Sequence, residues 1–149
     1  MKEAWPGVEL ISTDQYAGAT RDTGKRASEN LMNRFGNEVN GVFTCNETST
    51  AGMLLTLQDM GKAGHVAFVG FDANEAFIAA LQAKQLSGIV VQNPFKMAYL
   101  GVLTMVASLQ GKPVEKRIDT GVVLVTPDNM ETPEIKALLH PPVEKYLAR

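Results

Sequence analysis

His65-Val66-Ala67-Phe68-Val69-Gly70-Phe71-Asp72 is an apolar run closed by a carboxylate, and the segment after it changes period. There Phe77, Ile78 and Leu81 recur at helical spacing, and Asp72 with Glu75 three residues on has the pattern of a capping box. A strand passing directly into a helix is the unit of an α/β fold, and the unit repeats on either side. Further short β-branched runs lie at 8–12, 41–45, 88–92 and 121–126. Most are apolar almost without interruption, as strands are when helices cover both faces of a parallel sheet. The expectation is an α/β chain with a three-layer, doubly wound, mostly parallel sheet.

The intervening segments carry helix punctuation. Ala27, Leu31 and Phe35 recur every four residues, and Gly36 follows where a left-handed cap would end the helix. A second helix is predicted over about 49–60, stopping at Gly61, with 62–64 as the turn into the next strand. Pro94 suits the first turn of a helix over 95–110, which Gly111 and Pro113 terminate. Thr132-Pro133 opens a short helix ended by His140-Pro141-Pro142, leaving 143–149 as a last turn or a tail.

Composition narrows the class. The chain has 149 residues, 45% of them hydrophobic, with Lys+Arg 14 against Asp+Glu 16 and a formal net charge of −2. A domain of that length buries roughly 68–70% of its unfolded surface, enough for a real core. Near-neutral charge without a basic stripe argues against nucleic acid or an anionic membrane as the main partner. Cys45 is the one cysteine, so no intrachain disulfide forms, and it makes no metal-ligand spacing with His65 or His140. No stretch approaches the roughly 18 apolar residues of a membrane helix, and the first residues show no signal-peptide core.

In an open parallel sheet, ligands bind beyond the carboxyl ends of the strands, where loops and helix N-termini converge. Asn46, Asp72 and Gln92 stand at three such ends. All three groups are planar acceptors and the two amides also donate, a set suited to the hydroxyls of a sugar. Each of the first two also has a plainer reading as a helix cap, Asn46 ahead of Thr48-Ser49 and Asp72 ahead of Glu75. Gln92 precedes Asn93-Pro94 and is not placed to cap. Tyr16 offers a ring that could stack on a sugar and Arg21 a guanidinium that could reach a hydroxyl; a loop aromatic and a solvated or capping arginine are the alternatives. Cys45 has no neighbouring base and reads as a small core hydrophobe, while His65 begins a strand at the far edge from the crevice. Nucleophile, base and orienter do not assemble, and there is no phosphate-cradling glycine loop. The sequence reads as a binding protein with no enzymatic chemistry, cofactor or metal.

Four stretches together carry a family resemblance: Asn40-Gly41-Val42-Phe43-Thr44-Cys45-Asn46, Val69-Gly70-Phe71-Asp72, Ile89-Val90-Val91-Gln92-Asn93-Pro94 and Val122-Val123-Leu124-Val125-Thr126-Pro127-Asp128-Asn129. In order and spacing they resemble the type I periplasmic sugar-binding proteins of ABC transporters, close to the ribose-binding proteins. That fold is shared with the effector domains of lactose-repressor-type regulators. The resemblance covers about 5–130 and implies two α/β lobes joined by a three-strand hinge and closing on a sugar. It implies that Asn46, Asp72 and Gln92 are sugar contacts of the C-terminal lobe, and that 92–94 and 126–129 are hinge crossings. Residues 1–92 would then be a partial C-terminal lobe, 93–130 the hinge crossover helix and strand of the N-terminal lobe, and 131–149 a C-terminal extension.

Two departures qualify the resemblance. Family members often stack an aromatic on the sugar two places before the position of Arg21; Ala19 stands here, which points away from ribose unless Tyr16 substitutes. The chain also corresponds only to about the second half of a family member, so the central strand of the strand order 2-1-3-4-5 is absent. Runs 8–12 and 41–45 would flank that gap, which implies a homodimer or an element-exchanged oligomer. The implied partners are a pentose or hexose and, for the intact protein, an ABC permease, with a periplasmic location. The competing readings are an effector-binding domain of a transcriptional regulator and a non-binding remnant that oligomerises.

Overall fold

Two strand–helix units set the centre of the structure, a computed structural model that describes residues 4–147. Strand β1 (Gly41–Phe43) passes into α2 (Glu47–Asp59), and β2 (Ala67–Phe71) passes into α3 (Glu75–Gln82), after α1 (Arg21–Phe35) has led into β1. Strand β3 (Gly88–Gln92), α4 (Pro94–Leu109), β4 (Val122–Val125), α5 (Pro133–Leu139) and α6 (Glu144–Leu147) follow. The sheet has the order β1-β2-β3-β4. Its first three strands are parallel, with Val42 beside Phe68 and Gly70 beside Ile89. The fourth is antiparallel to β3, with Ile89 opposite Val125. The α/β class with a mostly parallel, incomplete sheet is therefore observed. The strand at 122–125, grouped by the resemblance with the other lobe, here extends the sheet of β1–β3.

Side-chain alternation sorts the sheet into two unequal faces. A Cβ on Gly70 would run into the methyl of Thr50, so Gly70 looks directly at α2. Phe68, two residues earlier, and Ile89, its register neighbour, share that face and are fully buried with Leu57 of α2. Phe77 and Leu81 of α3 and Ile135 of α5 join the same core. Phe43, Ala67 and Leu124 have the opposite parity, and there Phe43 is 61% and Leu124 51% exposed. The helical layer is thus complete on one side of the sheet and not on the other. Helix α4, apolar along its length, has no buried residue.

Helix α1 lies against α2 through glycine. A Cβ on Gly52 would strike the backbone of Gly24, and one on Gly24 would sit 2.7 Å from the Thr48 carbonyl. Only residues without side chains allow this approach.

Several local expectations change. The run at 8–12 is not a strand: Val8, Leu10 and Ile11 are exposed, and no strand pairs with the segment. Its apolar composition has nothing in the described chain to pair with. Gly36 adopts a right-handed conformation with φ −63°. It is needed because a Cβ there would meet the Met32 carbonyl, not for handedness. Cys45 is exposed, because β1 is a short edge strand and alternation turns Thr44 inward in its place. The helix after β2 begins later than Asp72 suggested, capped by Asn74. The short helix at Thr132-Pro133 ends at His140 as expected. Part of the predicted tail forms α6, and residues 148 and 149 lie outside the described residues.

Candidate functional site

Three consecutive helices, α1, α2 and α3, start at the carboxyl-end side of the sheet, which brings their positive dipole ends and capping side chains to one edge. Each start has a specific local cause. Thr20 and Thr23 exchange backbone-to-hydroxyl bonds of 3.2 Å at the head of α1. Asn46 caps α2 by accepting from the Ser49 amide at 2.9 Å, and its Oδ1 also accepts from the Ser49 hydroxyl at 2.7 Å. Asn74 caps α3 by accepting from the Phe77 amide at 3.0 Å.

Asp72 is not a cap. Its φ is +66°, a left-handed conformation that an L-residue adopts at a cost of about 1–3 kcal/mol and that is incompatible with the extended backbone of an N-cap. Its amide donates to the Val90 carbonyl at 2.9 Å, which continues the β2–β3 ladder one residue past the strand. The side chain meets the next strand end directly: Gln92 Nε2 donates to Asp72 Oδ1 at 2.9 Å. Both residues are half-buried. This pairing leaves Asp72 Oδ2 and the Gln92 side-chain oxygen as further acceptors.

Asn46 is drawn into the same edge through the backbone. The buried Thr50 hydroxyl donates to the Asn46 carbonyl at 2.8 Å and accepts from the Phe71 amide at 2.9 Å, one residue before Asp72. The capping reading of Asn46 holds for its oxygen, while its Nδ2 donates to no protein group among the described residues. Arg21 is the first residue of α1, and its Nη2 donates to Glu47 Oε1 at 3.1 Å. The same oxygen accepts from Asn74 Nδ2 at 3.0 Å, so Glu47 links the heads of α1, α2 and α3. Tyr16 lies in the irregular segment before α1 and is 93% exposed.

The structure thus brings Asp72 and Gln92 into contact, ties Asn46 to the residue before Asp72 through Thr50, places Arg21 at the head of α1 in contact with Glu47 of α2 and leaves Tyr16 exposed. Glu47, Thr50 and Asn74 were not singled out from sequence. Asn74 had a readable signal, an amide three residues before the buried Phe77; the reach of Glu47 and the burial of Thr50 depend on how the helices pack. Two cavities, of about 350 and 450 Å³, lie beside α5 and do not include Asn46, Asp72 or Gln92. Among the described residues no cluster of His, Cys, Asp and Glu could hold a metal ion, and no helix is long and apolar enough to cross a membrane.

Known proteins resemble this chain in sequence and in fold. The ribose import binding protein of Bacillus subtilis (strain 168) is 29% identical over 116 residues, which are 78% of this chain and 37% of that protein. The structure of a carbohydrate transporter solute binding protein from Agrobacterium radiobacter in complex with D-arabinose superposes with a TM-score of 0.84 at 32% identity, covering 93% of this chain and 46% of that one. An ABC transporter solute binding protein from Agrobacterium vitis with bound D-fucose superposes with a TM-score of 0.79 at 32% identity, over 87% of this chain and 44% of its own. The chain spans less than half the length of each of these relatives. The periplasmic binding protein domain matches residues 1–113, and with that match over most of its length the chain belongs to the periplasmic binding protein family.

Proposed function

We propose that this chain contributes one wall of the sugar cleft in the solute-binding protein of a carbohydrate ABC importer, where it binds without performing chemistry. The observation that carries the reading is the Asp72–Gln92 pair: a carboxylate on a strained left-handed turn, bonded at 2.9 Å to an amide at the neighbouring strand end. Strain of this kind persists where surrounding contacts over-determine it, and such turns concentrate at binding sites. Asp72 would accept two sugar hydroxyls, Gln92 and Asn46 would each donate an amide proton, and Arg21 would approach from the head of α1. Tyr16 would have to move to stack on a bound ring. The named relatives are import and solute-binding proteins, which favours this reading over the effector domain of a regulator. Periplasmic location and an ABC permease as partner belong to the same proposal.

Calorimetric titration of the chain with D-arabinose, D-fucose, D-ribose and xylitol tests it. At least one of these binds, and Asp72→Ala lowers the affinity about tenfold or more through loss of charge-assisted hydrogen bonds. Heat from a sugar that is unchanged by the substitution removes Asp72 from the site.

Self-association is a separate part of the proposal. The unpaired edge of β1, the exposed Phe43 and the unburied α4 are surfaces that a second copy would cover by exchanging elements. The assignment of 93–130 to crossover elements of another lobe is supported by the bare surface of α4. Chromatography with light scattering at micromolar concentration gives a dimer or larger species; a stable compact monomer rejects this part and leaves the sugar reading standing.

A further inference from the structure

Thr50 is fully buried and sits where three chain segments meet beneath the strand ends. Its Oγ1 lies 2.8 Å from the Asn46 carbonyl, 2.9 Å from the Phe71 amide, 2.9 Å from the Thr44 hydroxyl and 3.2 Å from the Phe71 carbonyl. A hydroxyl has one proton to donate and two lone pairs to accept. With its proton given to the Asn46 carbonyl, the shorter of its two carbonyl contacts, the hydroxyl accepts from the Phe71 amide and has a lone pair left for the Thr44 hydroxyl. A bond from a threonine to the carbonyl four residues back is common inside helices and needs no functional reason. The bond from the Phe71 amide is different, because it comes from strand β2, 21 residues away in sequence. It holds the residue immediately before the left-handed turn at Asp72. On the other side of the hydroxyl, the methyl of Thr50 packs on Gly70, where no side chain would fit.

We propose that Thr50 is a positioning residue for the candidate sugar site: one buried hydroxyl fixes the backbone of Asn46 relative to that of Phe71 and Asp72, and so sets the spacing of the two ligand-facing side chains. The functional meaning rests on the sugar-cleft reading above; the backbone role does not.

Two variants separate the hydroxyl from the packing. Thr50→Ser keeps the hydroxyl and loses the methyl against Gly70, whereas Thr50→Val keeps the shape and leaves the half-buried Phe71 amide without its acceptor. Both are expected to be less stable than the parent, so a residue acting only through stability would weaken sugar binding in both. The expected result is a split. In Thr50→Ser the affinity for the sugar that binds the parent stays within about threefold, and in Thr50→Val it falls about tenfold or more, the scale of one buried hydrogen bond left unmade.

Nuclear magnetic resonance on the 149-residue chain supplies a readout that needs no ligand. The left-handed Asp72 gives a strong intraresidue contact between its amide and α protons, and the Phe71 amide exchanges slowly with solvent. Both signatures persist in Thr50→Ser; in Thr50→Val the first weakens and the second accelerates by about tenfold or more. Parent-like signatures in Thr50→Val, or the same loss in Thr50→Ser, overturn the proposal. If the signatures split as expected while no sugar binds the parent, the sugar-cleft reading fails and the backbone role of Thr50 stands.

Discussion

The face of the sheet that meets α2 and the helix α4 are both apolar, yet they end in opposite states. Leu57, Phe68 and Ile89 are fully buried, while on α4 Val102 is 60%, Met105 62% and Leu109 82% exposed. Hydrophobic content is therefore not what places a segment in this molecule. The buried side is distinguished by fitted shapes: Gly70 makes room for Thr50, and Gly24 and Gly52 let two helix backbones meet. On α4 a Cβ at Gly101 would touch nothing within 4 Å. One region has its complement inside the chain, and the other lacks it.

The largest test of that contrast is deletion of buried volume. Phe68→Ala should cost about 3–5 kcal/mol in urea unfolding, whereas Leu109→Ala on α4 should stay within about 0.5 kcal/mol. Comparable losses would mean that α4 is packed in solution, and concentration dependence of the Leu109→Ala effect would attribute the packing to a second copy. Glycine substitution gives a sharper contrast because the sign should reverse. Gly52→Ala forces a methyl into the Gly24 backbone and should destabilise by about 1–3 kcal/mol, while Gly101→Ala, in an exposed helix interior, should stabilise by about 0.5–1 kcal/mol. A loss at Gly101 would show that something approaches α4 closely.

A smaller difference is expected at the helix starts. Asn74→Ala removes the cap of α3 together with the bond to Glu47 and should cost about 1 kcal/mol, whereas Thr132 makes no side-chain cap bond, only an exposed one to the Asn129 carbonyl at 3.0 Å, and Thr132→Ala should cost less than about 0.5 kcal/mol.

The smallest effect belongs to Lys25 on α1, whose ammonium is held above its usual value of 10.5, chiefly by the hydrogen bond and charge of Asp59 at 2.8 Å. A raised folded-state value stabilises fully below the unfolded one and is lost as pH rises through the folded one. The melting-point difference between the parent and Lys25→Met should therefore hold steady from neutral pH to about pH 10, shrink above it, and diminish with added salt because the pair is exposed.

These contrasts also mark what sequence can convey. Runs 41–45, 65–71 and 88–92 announce themselves because each is a short apolar stretch followed by helical spacing, and all three become strands in the expected direction. The run at 8–12 has the same composition and remains irregular, since a strand requires a neighbour and composition does not reveal whether one is present. The positions of Asn46, Asp72 and Gln92 follow from the place of strand ends in an open sheet, which is a matter of topology. That Asp72 would bond Gln92 rather than cap α3 depends on a backbone twist of +66° at a residue type that does not demand it. Thr50 and Glu47 were hidden for a related reason: the partners that tie them to other elements, Phe71 for Thr50 and Arg21 and Asn74 for Glu47, lie 21 residues or more away, and such distances are set by packing, which local pattern does not encode.

The backbone contact between Gly24 and Gly52 has a mechanical consequence. Because α1 and α2 interlock without intervening side chains, neither helix can slide along the other without a steric clash. Arg21 at the head of α1 and Asn46 and Glu47 at the head of α2 are therefore held at one mutual spacing by a contact made several residues away from them.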